Sequence, residues 1–513
     1  MNAIELGLFA SRISAICDEM GAVLRRSAFS PNIRDRLDFS CAVFGADGRL
    51  GAQAAHIPVH LGSMAYAMRD LVRVRDWQPG DQLIVNDPYL GGTHLPDVTL
   101  IAPVFTGGRL AAFVANRAHH ADIGAEAPGS MPISTRLEDE GRVIAPRLLI
   151  DAGRLEDRFL SELCADLAQP EGARGDFSAQ ISANRAGIKR LESWLAGIGF
   201  GAFERDLDEL NAYAERLARA EFLRFPPGRY AFVDRLDDDG QGSCDLAIAV
   251  TLEFDGGRVR VDFTGTAAQV AGNVNCPRPV TAAAVYYVFR CLLPEQAPAC
   301  AGLFAPIELV TVPGSLVDAA RPAAVAAGNV ETSSRIVDAL LGAAARALPG
   351  RIPAASQGTM NNLALGSRTE PRWAYYETIA GGMGAGPAGG GLSAVQTHMT
   401  NTLNTPVEVL ESSYPLRVTR YALREGSGGA GARRGGDGVV REFEALAPMQ
   451  ATVLSERRRH SPWGLDGGAP GRPGRNRLNG RDLPGKVELT LKPGDRLTIE
   501  TPGGGGFGGS GHR

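Results

Sequence analysis

The stretch QLIVNDPYLGGTHLPDVTLIAPVFTGGRLAAFVANRAHHADIG, residues 82–124, decides how this chain folds. It holds three apolar runs, Gln82 to Val85, Val98 to Phe105 and Leu110 to Val114, each short enough to be a strand. The turn Thr106-Gly107-Gly108 joins the last two into a hairpin, and the loop NDPYLGGTHLPD separates the first two. If Phe105 faces Arg109, antiparallel register puts Asp97 opposite Arg117 and His94 opposite His120. One strand end then gathers His94, Asp97, His119 and His120, and a slip of two residues would not disperse them.

The chain has eight histidines, and five of them fall between His56 and His120, so the hairpin concentrates a rare residue. Two imidazoles with a carboxylate suit Zn²⁺, Mn²⁺ or Fe²⁺ and leave positions open for water and substrate. Neighbouring residues on an extended strand point to opposite faces, so only one of His119 and His120 can be a ligand. The other is a supporting or catalytic group. His56 and His60 lie in AHIPVH, where a proline breaks regular ligand spacing; both read as walls of the substrate pocket. Asp38 opens the next apolar run and reads either as a turn aspartate or as a fourth ligand or general base.

Outward from the hairpin, Leu6, Phe9, Ile13, Ile16, Met20 and Val23 make one apolar stripe, which predicts a helix over 4–26. Residues 38–52 predict a hairpin turning at Ala46-Asp47-Gly48. Helices are expected over 179–198, 203–224, 282–293 and 332–348, and an antiparallel meander over 229–265. Glycine dominates from 381 onward, where two strands are expected near 486–491 and 496–500. No regular βαβ rhythm appears, so the expected fold class is mixed α/β (α+β), multidomain, with antiparallel sheets and a Gly-rich C-terminal β region. The expected division is a metal-bearing domain over 1–200, a β-meander plus helix over 201–320, and a Gly-rich domain over 321–513.

Composition excludes several classes. Hydrophobic residues make up 44% and charged residues 21%, which is ordinary for a globular protein. A net charge of −4 without a basic stripe argues against nucleic acid. No apolar run is long enough for a membrane helix and the N-terminus lacks signal-peptide order, so a cytoplasmic protein is expected. The seven cysteines never form CxxC and read as reduced, buried thiols; Cys276, in a Gly/Asn/Pro-rich stretch, stays open as a nucleophile. No GxxxxGK[ST] loop and no GxSxG elbow is present.

Other polar positions carry two readings each. Asn86 and Asp87 make an Asp-Pro turn or line the substrate pocket, and Asp122 is a supporting or pocket group. Glu331 and Arg335 sit where a helix starts, which is either simple capping by Thr332 or Ser333 or an anion-friendly pocket.

Several stretches together carry a family resemblance. They are RLDFSCAVFGADGRLGAQAAHIPVHLGSM (36–64), NDPYLGGTHLPDVTLIAPVF (86–105), ANRAHHADIGAEAPGSMP (115–132), QISANRAGIKRL (180–191), DFTGTAAQVAGNVNCP (262–277), AGNVETSSRIVDALL (327–341) and TPGGGGFGG (501–509). Across essentially the whole chain the sequence resembles the hydantoinase B family. That family includes N-methylhydantoinase B, the C-terminal half of 5-oxoprolinase and the metal-bearing subunits of ketone carboxylases. The resemblance implies a divalent transition metal (Zn, Mn or Fe) on His94, Asp97 and His119 rather than His120, with Asp38 close by. It also implies ATP bound on a hydantoinase A-like partner subunit, in a hetero-oligomer, and not on this chain. The implied activity is ATP-dependent cyclic-amide hydrolysis of a hydantoin, 5-oxoproline or a lactam. The alternatives are a ketone carboxylase subunit and a non-catalytic scaffold subunit.

Overall fold

The hairpin of residues 97–119 lies in the middle of a seven-stranded sheet. The computed structural model describes residues 2–55 and 57–509. The sheet consists of β1 (Phe39–Gly45), β2 (Leu50–Ala55), β3 (Gln82–Val85), β4 (Asp97–Thr106), β5 (Arg109–His119), β6 (Arg147–Asp151) and β7 (Arg154–Leu155). The order is β2-β1-β5-β4-β3-β6-β7, with every pair antiparallel. All of β1 is buried, as are Asp97–Val104 of β4 and Ala111–His119 of β5. Burial on both faces explains why these strands read as continuous apolar runs.

On one face lie the helices Ala3–Ser27 and Pro170–Ile198, which place Ile13, Cys17, Met20 and Leu24 against Val43, Val104 and Val114. On the other, helix His60–Leu71 sets Met64, Met68 and Leu71 against Phe44, Ile101 and Phe113. The first helix starts on a capping box of Asn2 and Glu5. The second starts at Pro170, earlier than the apolar pattern shows, because proline suits a first helical turn.

The hairpin register differs from the simple expectation. Thr106 faces Arg109, and Gly107 and Gly108 both have positive φ, the requirement of a two-residue turn of the mirror-image type. A bulge between Val104 and Phe105 then shifts the pairing again. Asp97 therefore pairs with His119 rather than Arg117. His94 is not on a strand opposite His120; it sits in the loop before β4, and the His120 N–H donates to the Pro96 carbonyl at 2.9 Å.

The meander is present as Gly228–Asp238, Cys244–Asp255 and Arg258–Asp262, extended by Ile307–Val310 in parallel. After residue 360 the structure holds many more strands than the two expected, arranged in a four-stranded and a five-stranded sheet. The fold is thus mixed α/β with several antiparallel sheets. The largest apolar cluster runs from Phe9 to Leu454. No helix among the described residues is long and apolar enough to cross a membrane.

Candidate metal centre

β4 begins at Asp97 and β5 ends at His119, so the register that joins them puts the two side chains together. The loop turning into β4 carries His94 three residues earlier, back over the same point. His94 Nε2 lies 3.2 Å from His119 Nδ1 and 3.3 Å from Asp97 Oδ1, and His119 Nδ1 lies 3.2 Å from Asp97 Oδ1. These three atoms make a nearly equilateral triangle, buried on all sides. The other oxygen, Asp97 Oδ2, accepts from the Thr93 hydroxyl and lies 3.3 Å from His60 Nε2. His60 Nδ1 is in turn 3.0 Å from Ser40 Oγ.

The triangle passes a simple fit test. Donors at about 2.0–2.2 Å from one ion, with angles between octahedral and tetrahedral, lie about 3.0–3.5 Å apart. The ring nitrogens outside the triangle, His94 Nδ1 and His119 Nε2, are buried without a hydrogen-bond partner.

Electrostatics agree with a cation. Burial alone would raise the Asp97 carboxyl, but the His94 and His60 charges and hydrogen bonds from His119 and His60 hold it well below the usual carboxylate range. Burial pulls His94 down, and Asp97 outweighs that and leaves it above its ordinary value. Burial keeps His119 below its ordinary value, so it is the more readily neutral of the two. A divalent ion at this point would take the place of the protons that these contacts require.

Asp38 sits beside the triangle. The His119 N–H donates to the Asp38 carbonyl at 3.0 Å, and the Arg36 guanidinium is 3.8 Å from its carboxylate. His120 faces away, as strand alternation demands. Its Nε2 is 2.9 Å from Gln180 Oε1 and its ring stacks on Phe177 at 4.2 Å. It shares a cavity of about 190 Å³ with Phe29, Asp122 and Asp176. A larger groove of about 630 Å³, between residues 124–139 and the strands 449–454 and 486–491, is lined by no residue of the triangle.

The remaining sequence candidates hold loops. Asn86 Nδ2 donates to the Leu95 and Arg142 carbonyls, and its Oδ1 accepts from the Ile144 N–H, which clamps the loop bearing His94. Asp87 caps the turn at Pro88–Leu90 and pairs with Arg321. Asp122 accepts from Gly124, Ser130 and Ala168. His56 lies outside the described residues. The thiol of Cys276 is buried, and burial pushes it up to about 12, far from a reactive thiolate.

The start of the helix at Ser333–Ala347 is closed rather than open to an anion. A π-turn, Gly328–Thr332, precedes it; Thr332 donates to the Val274 carbonyl and Ser333 to that of Asn329, so neither caps it. Arg335 is buried between Asp234 and Glu456, each at 3.4 Å. Glu331 accepts from the Met360 N–H at 3.1 Å and from Asn362 Nδ2 at 2.7 Å. Burial, helped by the charge of Glu456, pushes its carboxyl from 4.5 up to about 7.

That shift has a sign. Glu331 favours the folded state fully below about pH 4.5, and the contribution is lost as pH rises to about 7. Glu331→Gln is expected to remove this loss, on the order of 3 kcal/mol. Urea unfolding at about pH 5 and about pH 8 checks it; an equal decline in both proteins would contradict it.

Three groups close to the triangle had no clear sequence signal. Thr93 reads as part of a Gly-rich turn, yet its hydroxyl orients Asp97. Arg117 is buried and ties β5 to Ser63 at 2.6 Å and to the Gly91 carbonyl at 2.9 Å, fixing the His60 helix and the His94 loop. Tyr376, distant in sequence, stacks on His119.

The model of the family described as hydantoinase B/oxoprolinase matches residues 2–510. The chain belongs to the hydantoinase B/oxoprolinase family. Among its curated relatives, 5-oxoprolinase 1 of Arabidopsis thaliana is 40% identical over 99% of this chain. The match takes up 42% of that longer protein, so the chain spans about two-fifths of this relative. A putative D-/L-hydantoinase subunit of Pseudomonas sp. is 31% identical, covering 99% of this chain and 90% of the relative. Among solved structures, the ATP-dependent caprolactamase from Pseudomonas jessenii superposes with a TM-score of 0.93 at 26% identity, over 99% of this chain and 91% of that one. The triangle thus stands in a chain whose relatives include proteins named as a 5-oxoprolinase and a putative hydantoinase subunit.

Proposed function

We propose that this member of the hydantoinase B/oxoprolinase family is the metal-bearing, hydrolytic component of an ATP-dependent cyclic-amide hydrolase. The observation that carries the reading is the buried triangle of His94 Nε2, Asp97 Oδ1 and His119 Nδ1, with sides of 3.2–3.3 Å. Those three residues would hold a divalent transition ion (Zn, Mn or Fe), which when bound supplies a Lewis acid for the amide carbonyl and acidifies water. Thr93 and His60 hold the Asp97 carboxylate in place. Asp38, at the strand end next to His119, is the base that takes a proton from the attacking water. His120, in its own cavity behind the strand and bound to the Gln180 amide oxygen, has no part in the chemistry at the triangle in this reading.

ATP belongs, in this reading, to a hydantoinase A-like partner. The chain has no phosphate-binding GxxxxGK[ST] loop, and 5-oxoprolinase 1 is more than twice the length matched here. The name of the caprolactamase supports ATP-coupled lactam opening as the reaction class.

The test is turnover by the chain reconstituted with such a partner. ADP release that requires 5-oxoproline, a hydantoin or caprolactam is the expected result. Release that requires a ketone and bicarbonate instead would move the protein to the carboxylase class. Full turnover by the partner alone would leave this chain no catalytic part.

A further inference from the structure

A ligating histidine is ordinarily oriented by a hydrogen bond from its second nitrogen. His119 has none: its Nε2 is buried and unpartnered. Something else must fix the plane of the ring, because β5 ends at this residue and the chain turns away. The contact present is aromatic. The Tyr376 ring lies parallel to the imidazole, with centroids 4.8 Å apart and planes 15° apart.

We propose that Tyr376 is the positioning residue of the metal centre, and that it sets the His119 plane by ring stacking instead of a hydrogen bond. The inference rests on the metal reading given above. Tyr376 is itself held from three directions. It lies on the strand Trp373–Thr378, which pairs with Asn362–Ser367, and it faces Ala364 in that register. Its hydroxyl donates to Asn362 Oδ1 at 2.7 Å, and Asn362 Nδ2 donates to Glu331 Oε1 at 2.7 Å and to the Leu454 carbonyl at 2.8 Å. Its carbonyl accepts from Arg36 Nη1 at 2.7 Å, and the same guanidinium lies 5.0 Å from its ring centroid. A ring anchored at its hydroxyl, its backbone and its face cannot rotate, so it presents a fixed plane to the imidazole.

This links distant parts of the chain. The strands of the C-terminal half and the π-turn bearing Glu331 reach the ligands through one stacked pair. Arg36 also lies 3.8 Å from Asp38, so one guanidinium touches both the proposed base and the ring that orients a ligand.

The experiment uses the full chain loaded with Co²⁺, read by chelator competition and by the visible cobalt spectrum. Tyr376→Phe keeps the ring and loses only the hydroxyl; it is expected to stay within about threefold of wild-type affinity with an unchanged spectrum. Tyr376→Leu removes the ring and is expected to bind about 10–100-fold more weakly with an altered spectrum, the usual cost of losing a supporting partner. Wild-type affinity and spectrum in a folded Tyr376→Leu protein would overturn the proposal. So would a loss in Tyr376→Phe equal to that in Tyr376→Leu. Tyr376→Met, whose flexible chain fills the space, replaces Tyr376→Leu if the latter fails to fold. Absence of cobalt binding by the wild type is a different result, and it refutes the metal reading itself.

Discussion

Asp97→Asn is expected to lose its metal on dialysis and to cut ATP-coupled amide hydrolysis by more than the roughly 10–100-fold that loss of a supporting group costs. The size follows from position. Asp97 Oδ1 is 3.2–3.3 Å from both imidazole nitrogens, so it is the one anionic corner of the triangle. Its other oxygen takes the Thr93 hydroxyl and faces His60. Asparagine preserves the shape and removes the charge, leaving two imidazoles with no anion in the triangle itself to balance a divalent ion. Folding should survive, since β4 and β5 pair through backbone along their length. Metal content and initial rates, measured on one preparation, check both halves. Retained metal with normal rates would remove Asp97 from the site.

Gly504→Ala is expected to destabilise the fold by about 3 kcal/mol or more, with much of the protein lost as insoluble material. The terminal TPGGGGFGG run is threaded through the C-terminal half. A Cβ on Gly503 would meet the Ser427 carbonyl oxygen at 2.1 Å, on Gly504 the Met383 oxygen at 2.0 Å, on Gly505 the Trp463 oxygen at 2.1 Å and on Gly506 the Ala430 oxygen at 2.2 Å. These obstacles are backbone, not side-chain tips, so no rotamer change relieves them. The same segment is tied in by hydrogen bonds from Gly504 N–H to the Gly436 carbonyl and from Gly505 N–H to that of Ala355, both 2.8–2.9 Å. Gly389→Ala is the control: nothing lies within 4 Å of its added Cβ, and its stability should stay within about 0.5 kcal/mol of wild type. Urea unfolding of the three proteins compares them. Equal stability of Gly504→Ala and Gly389→Ala would contradict the threading argument.

The N-terminal half was the legible part. Hairpin, the two helices on one face of the sheet and meander follow from short-range periodicity, and burial on both faces marks β1, β4 and β5 as continuous apolar runs. The meeting of Asp97 and His119 followed too, because one local hairpin pairs them. The register itself was off by two residues: the two-residue turn sets Thr106 rather than Phe105 against Arg109, and a bulge at Val104/Phe105, which leaves no trace in apolarity, adds the second. His60 read as a wall, because the proline before it hides a helix beginning at His60 itself. The C-terminal strands were mostly missed: long glycine runs between them suppress alternation, and strands such as Trp373–Thr378 bury polar residues, Glu377 and Thr378, that interrupt the apolar run. Tyr376 could not be read at all, since a stack between residues so far apart in the chain has no local pattern. Glu331 read as part of a capped or anion-friendly helix start, but a π-turn folds it inward onto Met360 and Asn362.

The metal content of the wild-type chain tests the central claim most directly. Elemental analysis after extensive dialysis, beside His94→Ala and His119→Ala, should find about one divalent transition ion per wild-type chain and none in either variant. An ion retained at full occupancy in both variants, or metal-stripped protein that still supports full ATP-coupled amide hydrolysis, would contradict it.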